Sequence, residues 1–331
     1  MAKHWTCDEL LGMARAYQPA CVLAAAADLD LFGALSTRPM TALDLADLLG
    51  TDRRATAVLL DALSALALIN KNGNQYSVPR EVADVLSPKR PGSILPMVQH
   101  QANCLRRWVQ LARVVQTGRP AERTPSIRGE AADQAAFIGA MHTASGPVAD
   151  RLVTELGPLT FRHLLDVGGA SGTWTIALLR AVPNATATLF DLPEVIPLAR
   201  QRLAEVNLSQ RVTLVAGDFY TDPLPAGADF AWLSAIAHQN SRHQNRELFA
   251  KIHNALEPQG VLMIRDLVMD ESRTRPAAGA MFAINMLVGT PGGGTYTLQE
   301  YPEDLTAAGF SEITFLRQDD WMDSIIRASK S

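Results

Sequence analysis

His163-Leu-Leu-Asp166-Val-Gly168-Gly169-Ala170-Ser171-Gly172 is the stretch on which the fold of this chain turns. A short apolar strand runs into a turn of small residues, and over 173–182 apolar residues recur at helical spacing. Small residues let the backbone turn sharply and come close to a ligand. The helix N-terminus behind them offers unbonded N–H groups and the positive end of a dipole. Glycines also serve tight turns for purely structural reasons, so this segment gains meaning only from the strands downstream of it. Residues 185–192, 211–218, 228–238 and 261–266 read as further apolar strands, and helical patterns at 195–206 and 244–256 separate most of them. Alternating strand and helix, with continuously apolar strands, means a parallel sheet covered on both faces. Ligands bind such sheets in the crevice beyond the C-terminal ends of the strands.

The strand ends carry the chemistry. Asp166, Gly168, Gly169 and Gly172 line the first turn. Asp191 ends the second strand, where a carboxylate can accept hydrogen bonds from ribose hydroxyls. Gly217-Asp218-Phe219 ends the third and offers a carboxylate and an aromatic face beside an adenine-sized site. The dinucleotide fingerprint Gly-x-Gly-x-x-Gly fails, because from Gly168 its third position is Ala170 and its sixth is Thr173. That disfavours a nicotinamide dehydrogenase on a similar sheet.

Over the first hundred residues the texture is different. Helical patterns at 10–16, 20–35 and 43–49 lead to a longer one reaching about Ile69, with Thr51 or Asp52 as its N-cap. Asn72-Gly73 then signals a hairpin turn. Helices followed by a hairpin make the winged-helix pattern, whose usual reading is DNA binding. Residues 1–100 hold nine Lys or Arg against ten Asp or Glu, and a module that neutralises phosphates needs a basic face. Apolar residues on several sides of these helices suit a protein interface instead. From about Pro91 to Gly157 the pattern stays helical, broken by a Pro- and charge-bearing stretch at 118–130.

Bulk properties set the outer bounds. At 331 residues the chain suits two domains or one large domain with an accessory one, and 47% apolar with 19% charged residues describes a soluble globular protein. The net charge of −4 gives no reason to expect a nucleic-acid partner. Cys7, Cys21 and Cys104 are scattered without metal-ligand spacing and fit reduced thiols in a cytoplasm. Asp8 and Glu9 precede the first apolar run, which is not the order of a signal peptide, and no apolar segment is long enough to span a membrane. The expectation is a cytoplasmic protein bound neither to nucleic acid nor to membrane.

Leu164-Leu-Asp-Val-Gly-Gly-Ala-Ser-Gly, Phe190-Asp-Leu-Pro and Ala216-Gly-Asp-Phe-Tyr together resemble the small-molecule O-methyltransferases of the plant caffeate and acetylserotonin type and their bacterial relatives. Gly289-Thr-Pro-Gly-Gly-Gly-Thr and Leu305-Thr-Ala-Ala-Gly-Phe match the C-terminal pattern of that family, so the resemblance covers nearly the whole chain. It implies a class I methyltransferase fold, a Rossmann-like doubly wound sheet, with an N-terminal winged-helix dimerisation domain. It also implies S-adenosylmethionine as cofactor, S-adenosylhomocysteine as product, no metal, a small-molecule acceptor and a homodimer. The division expected is 1–100 for dimerisation, 101–157 as a helical linker roofing the active site, and 158–331 for cofactor binding and catalysis. Leu192 and Ser234 complete the expected cofactor set.

Methyl transfer is an in-line displacement, so alignment supplies most of the rate. A hydroxyl acceptor must also lose its proton, for which a histidine held by a carboxylate is suited. His238, read as the end of the fourth strand, matches the family's catalytic histidine, and Asp266 matches the carboxylate that orients it. His243 and His253 read as surface residues of a covering helix, and His100 and His142 as surface or core. The acceptor wall is expected from the helix around 279–288, with Met281, Phe282, Asn285 and Met286, then Thr290 in the loop, and Met141 from the preceding helical region. Only Met286 and Thr290 in that set match the family.

Three departures from the family stand out. Ala170 replaces a glycine, Gln239-Asn240 replaces Asp-Trp after the histidine, and Thr295 takes the place of a second carboxylate. Without that carboxylate His238 would be a weaker base, which admits transfer to a thiol or a carbon acceptor by alignment alone. A reading from another class is a non-catalytic regulator that binds S-adenosylmethionine.

Overall fold

The computed structural model describes residues 3–88, 90 and 92–331. Lys89 and Pro91, the latter expected to open the second helical stretch, lie outside the described residues. The chain divides into two compact units, Met1–Arg106 with Arg123–Thr143 and Arg107–Glu122 with Ala144–Ser331.

The first unit packs short helices around Phe32, Leu45, Leu60, Leu63, Ile69 and Tyr76. The single helix expected over 20–35 is two, Tyr17–Asp28 and Leu31–Leu35. They break where Asp30 takes a left-handed φ of 54°, a conformation that Asp tolerates better than most residues. The next long helix, Arg53–Ala65, is capped by Asp52, whose carboxylate accepts the Ala55 N–H at 2.8 Å. It stops short of Ile69 because Ala67 adopts φ 57°. The hairpin follows as expected: β2 (Asn70–Asn72) and β3 (Gln75–Ser77) turn at Gly73, φ 62°, and β1 (Met40–Thr41) joins β3 as a third strand. The leading helix Cys7–Arg15 buries none of its residues, and Leu10, Leu11 and Met13 are each about half exposed.

The second unit is built on a seven-stranded sheet. Its strands are β4 (His163–Val167), β5 (Thr186–Asp191), β6 (Val212–Ala216), β7 (Ala228–Ser234), β8 (Leu256–Asp266), β11 (Phe310–Arg317) and β12 (Ser324–Lys330). A separate parallel pair, β9 (Val268–Met269) and β10 (Tyr296–Thr297), lies apart from it. The order is β11-β12-β8-β7-β4-β5-β6, with β4 to β8 parallel and β12 antiparallel to both neighbours. Alternation along each strand feeds two cores: Leu165, Val167, Ala231, Leu233, Leu262 and Ile264 face one, and Leu164, Phe230, Trp232 and Met263 face the other. The chain winds from β4 out through β5 and β6, then returns to β7 on the opposite side of β4. That reversal opens a crevice at the C-terminal ends of β4 and β7.

Two expected boundaries next to His238 move. The strand read as 228–238 ends at Ser234, because β4 pairs with β7 only as far as Leu233 and β8 only as far as Ser234. Ala235 then turns out of the sheet at φ 57°, and His238 sits in a turn of 3-10 helix, Ala237–Gln239, instead of at the strand end. The helix expected to start at Gln244 starts at Arg242, because Ser241 and Gln244 form a reciprocal capping box.

Candidate functional site

The turn after β4 is shaped by its side chains as much as by its glycines. Gly168 has φ 69°, and a Cβ there would lie 2.8 Å from Ile236 Cδ1. A Cβ on Gly169 would lie 2.6 Å from Leu189 Cγ and 2.9 Å from the Asp166 carboxyl. Gly172, φ 77°, is the N-cap of the helix Thr173–Ala181. Arg202 pins the start of that helix, donating to Ser171 Oγ at 2.8 Å and to Thr173 Oγ1 at 2.9 Å. Asp166 is buried beneath the turn and accepts the Thr175 hydroxyl, and its burial pushes its carboxyl up to about 7.

Asp191 reaches back across the crevice to the same turn. One oxygen accepts the Ala170 N–H and the other the Leu192 N–H, each at 2.7 Å. Burial raises the Asp191 carboxyl above its ordinary value, and these two N–H groups oppose the rise. A carboxylate has about four acceptor positions, so two remain for other donors. Ala170 itself holds φ 48°, so the residue that replaces a glycine also occupies a glycine-like conformation. Leu192 is 39% exposed at the rim, and Asp218 and Phe219 are half-buried on the loop after β6. Asp218 accepts the Tyr220 N–H at 2.8 Å. Ser234 ends β7, and its hydroxyl receives a hydrogen bond from Arg265 at 3.2 Å. Arg265 is itself buried, ion-paired to Asp323 and stacked over Trp174.

These residues fit S-adenosylmethionine. The turn is a cradle packed so closely on Ile236, Leu189 and Asp166 that 168 and 169 have no room for a side chain, a helix N-terminus lies behind it, and Asp191 holds it with a partly satisfied carboxylate.

Next to this cradle His238 and Asp266 meet in the interior, 5% and 0% exposed. Asp266 Oδ1 lies 2.7 Å from His238 Nδ1 and 2.8 Å from the Leu267 N–H, while Oδ2 accepts the His238 backbone N–H at 3.2 Å. A carboxylate that accepts from Nδ1 assigns the proton to that nitrogen and leaves the lone pair on Nε2. The ring packs edge-on against Phe282 at 4.9 Å, and Phe282 in turn against Trp321 at 5.8 Å.

The family's Asp-Trp is replaced here by an amide network. Asn240 is fully buried, accepts the Tyr220 hydroxyl, and donates to Asn245 Oδ1 at 3.0 Å. Asn245 donates to the Ala237 carbonyl at 3.0 Å, and the Tyr296 hydroxyl donates to the Asn240 carbonyl. Thr295 is buried, and its carbonyl accepts from Arg273 at 3.1 Å. The loop before it rests on the histidine turn, where Gly294 N–H donates to the His238 carbonyl at 2.9 Å.

On the helix Ala277–Gly289, Met286 is buried, Asn285 is half-buried and Met281 is 56% exposed. Asn285 Oδ1 accepts the Trp108 indole N–H at 3.0 Å, so its amide N–H groups point elsewhere. Thr290 donates to the Met286 carbonyl and accepts the Gly293 N–H, at 2.8 and 2.9 Å. Met141 lies in the helix Glu130–Glu155, in the part that belongs to the first unit. Sequence reasoning missed Trp108, Trp321, Asn245, Tyr296 and Arg265. Their partners are distant in the chain, and no local pattern marks them. Among the described residues no group of three or more His, Cys, Asp or Glu could hold a metal ion, and no helix is long and apolar enough to cross a membrane.

Comparison with known proteins agrees with this geometry. Residues 108–311 match an O-methyltransferase domain model and residues 13–86 an O-methyltransferase dimerisation domain. The chain is 33% identical over 300 residues to a 3-hydroxy-5-methyl-1-naphthoate 3-O-methyltransferase of Streptomyces sahachiroi, covering 89% of this chain and 87% of that one. It is 31% identical over 313 residues to the tetracenomycin polyketide synthesis 8-O-methyl transferase of Streptomyces glaucescens, covering 92% and 91%. The crystal structure of human N-acetylserotonin methyltransferase in complex with S-adenosylmethionine superposes with a TM-score of 0.81 at 26% identity, covering 100% and 99%. With a cradle that fits the cofactor and a family model matched over most of its length, this chain belongs to the S-adenosylmethionine-dependent O-methyltransferases and acts on a small-molecule acceptor.

Proposed function

We propose that His238 is the general base that takes the proton from an acceptor hydroxyl, and that Asp266 fixes its tautomer and orientation. The observation that carries this reading is the 2.7 Å contact between His238 Nδ1 and Asp266 Oδ1 in a buried setting. When bound, S-adenosylmethionine supplies a methyl group already activated by a sulfonium. The protein's work is to bind, align and deprotonate. Asp191 accepts the ribose hydroxyls through its remaining lone pairs, Leu192 and Phe219 flank the adenine, and Asp218 lies at its edge. Asp166, Gly168, Gly169, Gly172 and Ser234 surround the methionine portion. The acceptor lies against Asn285, Met286 and Thr290, beside the Phe282 ring that packs on His238, a mix of apolar surface and a few polar groups that suits a flat molecule.

The relatives' printed names, a naphthoate and a polyketide O-methyltransferase, support an aromatic hydroxyl as acceptor. A buried, carboxylate-paired histidine favours oxygen over a thiol or carbon, and has no evident use in a protein that only binds cofactor. Residues 1–100 form a dimerisation module and 158–331 the catalytic domain. The exposed Leu10, Leu11 and Met13 support a homodimer. Three cysteines outside any disulfide support a cytoplasmic location. Incubation with methyl-labelled cofactor and a panel of hydroxylated aromatic acids tests the reaction, with mass spectrometry locating the label. Label on oxygen supports the reading, and label on carbon or nitrogen alone overturns it. Light scattering that reports a monomer at micromolar concentration overturns the dimer.

A further inference from the structure

The hydrogen-bond chain that ends on the histidine turn begins on the proposed cofactor loop. Tyr220 follows Asp218 and Phe219 directly, and its N–H is held by Asp218. Lys251, from the helix Arg242–Ala255, clamps the same segment by donating to the carbonyls of Phe219, Tyr220 and Asp222 at 2.8, 2.9 and 3.1 Å. An ammonium has three donors, so this one is fully used. From Tyr220 the chain runs through Asn240 and Asn245 to the Ala237 carbonyl, which is the first residue of the 3-10 turn that carries His238.

The polarity of this chain is fixed by its far end. A carbonyl only accepts, so Asn245 must present its amide nitrogen to Ala237 and its oxygen to Asn240. Asn240 must then present its own nitrogen to Asn245 and its oxygen to Tyr220, which leaves the phenol as donor. The Asn240 backbone is paired as well, since its N–H donates to Ala237 O at 3.2 Å and its carbonyl accepts from Tyr296. Such a run has one arrangement, and buried hydrogen bonds in series reinforce one another. The run thus joins the 218–222 segment to the backbone of the His238 turn.

We propose that Tyr220 and Asn240 are positioning residues that couple occupancy of the cofactor loop to the setting of His238, so that the base is ordered by the cofactor before the acceptor arrives. The proposal rests on the reading of 218–219 as part of the cofactor site. Tyr220 is 48% exposed, so Tyr220→Phe keeps the ring and removes only the hydroxyl that Asn240 accepts, and the unfolding midpoint serves as the control for folding.

The test uses full-length protein with isotopically labelled histidine and S-adenosylhomocysteine as the probe. Among the seven histidines, the signal of His238 is assigned by its loss in His238→Gln. S-adenosylhomocysteine is expected to bind wild type and Tyr220→Phe with dissociation constants within about threefold of each other. In wild type it should displace the His238 signal, and in Tyr220→Phe that signal should stay near its ligand-free position. Asn245→Ala, which breaks the same run at its other end, should behave like Tyr220→Phe. Equal displacement in wild type and both variants overturns the coupling while leaving the cofactor reading intact. Failure of S-adenosylhomocysteine to bind wild type overturns both.

Discussion

Asp191 accepts the backbone N–H of Ala170 at 2.7 Å, so the end of β5 holds the turn that follows β4. This contact steadies Ala170 in a left-handed conformation that costs a non-glycine residue about 1–2 kcal/mol. Asp191 therefore shapes the cradle, and in the proposed reading it also accepts from the cofactor. Asp191→Ala is expected to weaken S-adenosylhomocysteine binding by about 1–3 kcal/mol in calorimetry. An unchanged dissociation constant would remove Asp191 from the site.

Asp166 gives the protein a pH dependence with a definite sign. Burial raises its carboxyl to about 7 from 3.8, so between those values the native state holds a proton that the unfolded chain has released. Stability then falls as pH rises through this window, and the loss is complete above the native value. Between about pH 5 and pH 8 the loss is on the order of 2 kcal/mol. Asp166→Asn carries no proton to lose. Denaturant unfolding of the ligand-free protein should show a smaller decline over this range in the variant than in wild type. Equal declines would show that Asp166 does not titrate there.

Gly293 is where the C-terminal loop touches the histidine turn. A Cβ at this position would lie 2.6 Å from the His238 carbonyl and 2.9 Å from that of Gln239, both backbone atoms that cannot rotate away. Gly293→Ala must push the loop off the turn and break the Gly294–His238 hydrogen bond. We expect turnover to fall about 10–100-fold, as for a catalytic group displaced by about an ångström. Affinity for S-adenosylhomocysteine should hold within about twofold, since Gly293 and Gly294 pack on the histidine turn. Retained turnover would show that the loop adjusts without moving His238.

Much of the parallel half of the sheet is readable in the sequence because its strands are mostly apolar and several stop at Gly or Asp, as at Val167-Gly168, Asp191 and Gly217-Asp218. The strand-end residues follow from the same rule. The histidine turn does not, because Ala235-Ile-Ala continues the apolar run past Ser234 and only the length of the neighbouring strands shows where pairing stops. β11 escapes sequence reading for a related reason: after the buried Phe310 its half-buried and exposed positions alternate at the sheet edge, and no apolar run marks it. Asn240 is visible as a departure from the family pattern. Its role is not, since Tyr220, Asn245 and Tyr296 reach it from three separate segments.

The base role of His238 is tested most directly by the turnover of His238→Ala with a hydroxylated acceptor. A general base contributes about two to four orders of magnitude, so turnover should fall by that amount. S-adenosylhomocysteine affinity should barely change, because the imidazole is assigned to the acceptor side, and Asp266→Asn should cause a smaller loss through a misplaced tautomer. Near-normal turnover of His238→Ala across pH 6 to 9 would contradict the account and leave alignment alone to drive the transfer.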